Sequence, residues 1–120
     1  MNQFTLLGNL TKDVELKIAG ETSIAETSIA VPRKYKNKKT GEYDTDFFRL
    51  KAFGKTAEFM ANYLGKGQKV LVQGRIQNNN YEKDGKTIYN DERVVEDVYF
   101  AGGNKQSEEA EEPAERETSF

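Results

Sequence analysis

Phe47-Phe48-Arg49-Leu50-Lys51-Ala52-Phe53-Gly54-Lys55-Thr56-Ala57-Glu58-Phe59-Met60-Ala61-Asn62-Tyr63-Leu64 changes its hydrophobic period half-way. Up to Phe53 the apolar residues Phe48, Leu50 and Ala52 alternate with Arg49 and Lys51, the two-residue period of a strand. Beyond Gly54, the residues Ala57, Met60, Ala61 and Leu64 recur at i, i+3, i+4 and i+7, one face of a short helix. Gly54 frees the chain to turn from strand into helix, and Gly65 is placed to cap the helix C-terminus.

Working outward, Val14, Leu16 and Ile18 alternate with Glu15 and Lys17, which predicts a half-buried strand. Ala25, Thr27, Ile29 and Val31 do likewise before Pro32. Asn37-Lys38-Lys39-Thr40-Gly41 is a polar turn, after which strand character resumes over residues 46–53. On the far side of the helix, residues 70–76 and 88–100 read as two more strands, separated by the turn-like Glu82-Lys83-Asp84-Gly85-Lys86. No segment repeats. Three strands, a helix and two strands are the order of an all-β domain with one short helix, a five-stranded OB-fold barrel. A small sandwich with an inserted helix is the other architecture this order allows.

The chain of 120 residues contains no Cys and no His. Cys/His zinc sites, thiol nucleophiles and Ser-His-Asp triads are thereby excluded, and the lack of Cys fits a reducing compartment. Met1-Asn2-Gln3-Phe4-Thr5-Leu6-Leu7-Gly8 lacks the basic-then-apolar order of a signal peptide, and no apolar run nears the ~20 residues of a membrane span. A cytoplasmic protein that is not an enzyme, with no membrane partner, no cofactor and no metal, is the expectation. The formal charge of −2 conceals a split. Residues 33–75 hold 11 basic and four acidic side chains, whereas residues 101–120 hold two basic and six acidic ones. Apart from Ala and Pro113, the latter segment has no apolar side chain before Phe120. The expected organisation is a folded domain over residues 1–101 and a disordered acidic tail over residues 102–120.

The outer face of the strand before the helix is unusual. Phe47, Arg49, Lys51 and Phe53 share it, and two cations cannot be buried cheaply. Exposed aromatics interleaved with cations suit single-stranded nucleic acid, whose bases stack on rings while Lys and Arg neutralise phosphates. Tyr35 lies within Arg33-Lys34-Tyr35-Lys36-Asn37-Lys38-Lys39, and Tyr81 precedes Lys83 and Lys86. Phe47 and Phe53 would also serve a second small core or a subunit interface. A basic hairpin around Tyr35 is a poor oligomer seam, which favours nucleic acid.

The chain resembles the bacterial and phage single-stranded DNA-binding proteins of the homo-oligomeric OB-fold family. The resemblance runs from Asn2 to Phe100. It is carried by Leu7-Gly8-Asn9-Leu10-Thr11-Lys12-Asp13 with Glu15-Leu16, Ile29-Ala30-Val31, Thr40-Gly41-Glu42 and Thr45-Asp46-Phe47-Phe48-Arg49. Phe53-Gly54-Lys55-Thr56-Ala57-Glu58, Tyr63-Leu64-Gly65-Lys66-Gly67 and Val72-Gln73-Gly74-Arg75-Ile76-Gln77 complete it. Each is weak alone, and their joint order and spacing are specific.

The resemblance implies binding of single-stranded DNA with little sequence preference, in replication, recombination and repair. It implies stacking on Tyr35, Phe47, Phe53 and Tyr81. Phosphate contacts would fall on Lys34, Arg49, Lys55 and Arg75, with Arg33, Lys36, Lys38, Lys39, Lys51, Lys83 and Lys86 in support. It further implies self-association, as a homotetramer or a dimer, and docking of replication and recombination proteins on the acidic tail through Phe120. Three departures stand out. Three of the stacking positions are often Trp in the family, and this chain has none. Asn78-Asn79-Asn80 stands where many relatives carry an Arg, which lowers the expected salt slope by ~0.7. The tail lacks the family's Asp-rich Pro-Phe ending.

Rival readings carry less. Gly54-Lys55-Thr56 and Gly85-Lys86-Thr87 resemble P-loop endings, but the required earlier Gly is replaced by Arg49 and Asn80. Asp44 with Asp46, and Glu92 with Glu96, could line strand faces as in a metal-dependent nuclease, yet no general base or Arg pair converges on either. A protein-binding adaptor of the same fold, and RNA in place of DNA, are the remaining alternatives.

Overall fold

The computed structural model describes residues 1–101, so the expected tail and Phe120 lie outside the described residues. The elements are β1 (Phe4–Leu10), β2 (Glu15–Ala19), β3 (Thr22–Lys36), β4 (Tyr43–Phe53), α1 (Gly54–Tyr63), β5 (Lys69–Asn78), β6 (Tyr81–Lys83), β7 (Lys86–Ile88) and β8 (Asp91–Phe100). The main sheet runs β1-β5-β8-β4-β3-β2, and β1 also pairs with β3 through Asn9↔Ala30 and Leu10↔Ile29. That second pairing closes β1, β5, β8, β4 and β3 into a five-stranded barrel. Among the described residues only β4 and β8 pair in parallel, in register at Lys51↔Val94. This is the OB-fold barrel expected from the order of elements, not a sandwich.

Leu10, Ile29, Leu50, Met60, Val70 and Val72 fill the barrel, with Ala25, Ala52, Ala57 and Val95 between them. The strand-to-helix stretch behaves as its two periods require. Leu50 and Ala52 point inward from β4, and Ala57 and Met60 cover the end of the barrel from α1. Helix α1 has no side-chain cap and no acidic residue in its first turn. A helix this short owes its stability to that packing rather than to local propensity. Truncation of Leu50 or Met60 to Ala therefore falls in the range of ~2–5 kcal/mol. Gly54 takes φ +64°, the left-handed conformation that lets β4 turn directly into α1.

Three expectations need correction. The first barrel strand is β1, whereas the alternating segment at residues 14–18 contributes β2, bonded to β3 alone and exposed throughout. Leu16 and Ile18 are exposed, Ile18 at 66%. Alternation sets which residues share a face, but burial needs an opposing layer, and β2 lies at the sheet's end. Helix α1 ends at Tyr63, and its C-cap is Leu64 in extended conformation, whose N–H donates to the Met60 carbonyl. Leu64 is buried, so core packing rather than a left-handed Gly65 ends the helix; the positive φ falls later, at Gly67. The last predicted strand, residues 88–100, is broken. Ile88 belongs to the β6–β7 hairpin, and β8 begins at Asp91. That hairpin turns on Asp84 and Gly85, φ 55° and 77°, the two left-handed residues of a type I′ turn.

Candidate nucleic-acid interface

The outer face of β4 carries Phe47, Arg49, Lys51 and Phe53, as strand alternation demands. Their register partners on β3 are Ala30, Ser28, Glu26 and Ile24. The small Ala30 and Ser28 leave Phe47 standing clear at 67% exposure, while Phe53 beside Ile24 is half-buried. Lys55 is exposed in the first turn of α1, immediately beyond Phe53. On the other side of β4, Val94 of β8 is in register with both Lys51 and Arg75 of β5. The barrel thus places Arg75 one strand away from the β4 face.

Strands β3 and β4 pair as far as Lys36↔Tyr43, with a register irregularity between Pro32 and Lys36. This hairpin arm carries Arg33, Lys34, Tyr35, Lys36, Lys38 and Lys39, all exposed. The Lys34 ammonium lies 5.6 Å from the centre of the Tyr35 ring, and that of Lys36 lies 5.9 Å from the Tyr43 ring. Tyr81 opposes Ile88, and Lys83 opposes Lys86, on the separate two-stranded sheet. The predicted residues therefore occupy two places: the β3–β4 surface with its arm, and the β6–β7 hairpin.

The cations differ in their freedom. Arg33 donates two hydrogen bonds to Asp46, at 3.1 and 3.0 Å. That contact holds the Asp46 carboxyl below its ordinary range and raises the Arg33 guanidinium. Arg75 pairs with Glu96 at 2.7 Å, and Lys51 pairs with Glu92 at 2.7 Å. Glu92 and Glu96, the carboxylates considered for a nuclease, are each engaged by a cation. Among the described residues Lys34, Lys36, Lys38, Lys39, Arg49, Lys55, Lys83 and Lys86 have no carboxylate partner.

Glu92 accepts hydrogen bonds from Lys51 Nζ, Gln77 Nε2 and Asn79 Nδ2. Burial opposes its charge, but these donors and the Lys51 charge outweigh that cost and hold its carboxyl below the usual range. Sequence reasoning missed this cluster, whose three donors lie 13, 15 and 41 residues from Glu92 along the chain. It also missed exposed Tyr43 and Tyr89. Tyr43 sits between Glu42 and Asp44, which hides its cross-strand neighbour Lys36 from a linear reading.

Residues 1–101 match the single-strand binding protein family. The chain belongs to that family. Relatives of this single-strand binding family member include the single-stranded DNA-binding protein of Clostridium tetani. It is 44% identical over 111 residues, which cover 89% of this chain and 75% of that protein. Single-stranded DNA-binding protein 2 of Clostridium acetobutylicum is 43% identical over 110 residues, 89% of this chain and 81% of the relative. Single-stranded DNA-binding protein 3 of Listeria innocua is 42% identical over 121 residues, 90% and 75% respectively. Among the described residues of this family member, no helix is long and apolar enough to cross a membrane.

Proposed function

We propose that this chain binds single-stranded DNA with little sequence preference, as a non-catalytic coat that protects and presents the strand during replication, recombination and repair. The observation that carries the reading is the outer face of β4, where exposed Phe47 and half-buried Phe53 flank Arg49 and Lys51. Bases stack on Tyr35, Phe47, Phe53 and Tyr81, and Tyr43 and Tyr89 are further rings within the arm and hairpin. Each stacked base is worth ~1–3 kcal/mol whatever its identity, because every base has a π-face. Lys34, Lys36, Lys38, Lys39, Arg49, Lys55, Lys83 and Lys86 meet phosphates directly and release counterions. Arg33 and Arg75 meet them by exchanging Asp46 and Glu96 for phosphate.

Self-association, as a homotetramer or a dimer, belongs to the same proposal. Strand β1 pairs with β5 along residues 4–9 but with β3 only at Asn9 and Leu10. The adjacent outer surface carries the row Leu7, Leu71 and Tyr99 across β1, β5 and β8. An open strand edge beside an apolar row suits strand addition from a second copy. Residues 102–120 would dock replication and recombination proteins, in a bacterial cytoplasm or nucleoid. The test is a titration with oligo-dT that follows tyrosine fluorescence, since the chain has six Tyr and no Trp. Saturable quenching that duplex DNA of equal length does not reproduce supports the reading; no quenching and no retention of the oligonucleotide on a filter contradict it.

A further inference from the structure

Lys51 lies in the middle of the proposed stacking face, yet its ammonium is already committed. It donates to Glu92 Oε2 at 2.7 Å and lies 3.9 Å from Glu26, which Lys17 approaches at 3.5 Å. Lys17, Glu26, Lys51 and Glu92 form a cross-strand network with no net charge. Its Lys51–Glu92 pair is sheltered, since the Glu92 side chain is 10% exposed and that of Lys51 25%, whereas Lys17 lies at the exposed end. Removing one partner from a sheltered pair leaves the other uncompensated, so neither charge leaves the network cheaply. A cation neutralised from within the protein holds few counterions for a phosphate to release.

The same ammonium lies 5.9 Å from the centre of the Phe53 ring, over its face. A cation held there occupies one side of the ring and leaves the opposite side for a base. Glu92, which fixes Lys51, also receives Gln77 from β5 and Asn79 from the chain entering the Tyr81 hairpin. Asn79 N–H in turn donates to the Asn90 carbonyl, and Asn90 N–H to Asn80 Oδ1, which closes the hairpin base. One carboxylate therefore ties the support of Phe53 to the root of the hairpin that carries Tyr81.

We propose that Lys51 is a positioning residue for stacking rather than a phosphate contact: Glu92 clamps it so that it backs the Phe53 ring and braces the base of the β6–β7 hairpin. This rests on the single-stranded DNA reading above and assigns a specific role within that site. It separates the central cation of the β4 face from its neighbours Arg49 and Lys55, which have no carboxylate partner among the described residues.

The experiment uses the full chain and measures oligo-dT affinity across a series of salt concentrations, with thermal melts followed by circular dichroism. K51M is expected to weaken binding several-fold while the slope of log affinity against log salt stays that of the wild type. K55M, the phosphate control, is expected to make the slope shallower by ~0.7. E92Q releases Lys51 to the solvent and to phosphate, and so is expected to steepen the slope. F53A is expected to weaken the wild type by roughly five-fold or more but the K51M protein by less than half that factor, and K51R retains wild-type affinity. A merely structural role would give none of this coupling. A K51M slope shallower by the same amount as that of K55M, or additive effects of K51M and F53A, overturns the proposal and leaves the function intact. If K51M does not fold, the E92Q slope decides alone, and an unchanged or shallower slope overturns the proposal. Failure of the wild type to bind oligo-dT at all overturns the function on which it rests.

Discussion

Gly74 of β5 passes directly against the carbonyl of Val94 on β8: a Cβ at residue 74 would lie 1.8 Å from Val94 O and 3.0 Å from the Phe4 ring. The position adjoins the register irregularity between Gln73 and Gly74, and Val94 is also the parallel-strand partner of Lys51. The obstruction is backbone, so relief requires β5 and β8 to separate at the point where the barrel closes on β4. Gly74→Ala is expected to destabilise the domain by about 1–3 kcal/mol, the usual cost of forcing extra atoms into a packed site. Urea unfolding checks this; an unchanged midpoint would mean that the strands part without cost.

The lowered carboxyl of Glu92 makes its contribution to stability depend on pH. A carboxylate whose folded pKa is depressed stabilises the fold fully above its unfolded value, here the ordinary 4.5. That stabilisation is lost as pH falls below 4.5 and through the depressed folded value. Glu92→Gln is therefore expected to lower the urea midpoint most at neutral pH, with the gap to wild type narrowing as the pH falls below 4.5. A gap that is constant from neutral to acid pH would show that shape, not charge, is what Glu92 supplies.

The two classes of cation on the β3–β4 arm should respond differently to salt. Lys38→Ala and Lys39→Ala each remove a cation that lacks a carboxylate partner among the described residues, and each is expected to make the salt slope for oligo-dT shallower by up to ~0.7. Asp46→Asn frees Arg33 from its two-pronged pair, and is expected to strengthen binding and steepen the slope. Weaker binding by Asp46→Asn would mean that Asp46 matters as the anchor of the arm.

Residues 108–120 hold six Glu against Arg116. On composition alone, deleting them removes negative charge that disfavours a polyanion, and oligonucleotide affinity is expected to stay equal or rise. Clearly weaker binding by the shortened chain would place this segment within the binding surface.

The barrel was legible wherever side-chain period and burial coincide. Residues 46–64 announce β4 and α1 because Leu50, Ala52, Ala57 and Met60 are all buried. Strand β1 escaped notice because its period is inverted locally, with Leu7 outward and exposed and Gly8 inward and buried. Strand β2 looked half-buried because alternation records a face and not its cover. The outer face of β4 was readable from seven residues, since a strand fixes which side chains are neighbours. The engagement of Lys51 by Glu92 was not, because it depends on the parallel β4–β8 pairing that only the closed barrel creates.

The most direct test of single-strand stacking is fluorescence anisotropy of labelled oligo-dT with the wild type and a Phe47→Ala/Tyr81→Ala variant, in the presence of unlabelled duplex DNA. Both rings are more than half exposed, so their removal should leave the melting temperature close to that of the wild type. Base stacking on Phe47 and Tyr81 predicts tight wild-type binding, poor competition by duplex, and a loss in the variant of at least about ten-fold for two stacked bases. Equal competition by duplex, or undiminished affinity of the variant, would contradict it and leave only a basic surface.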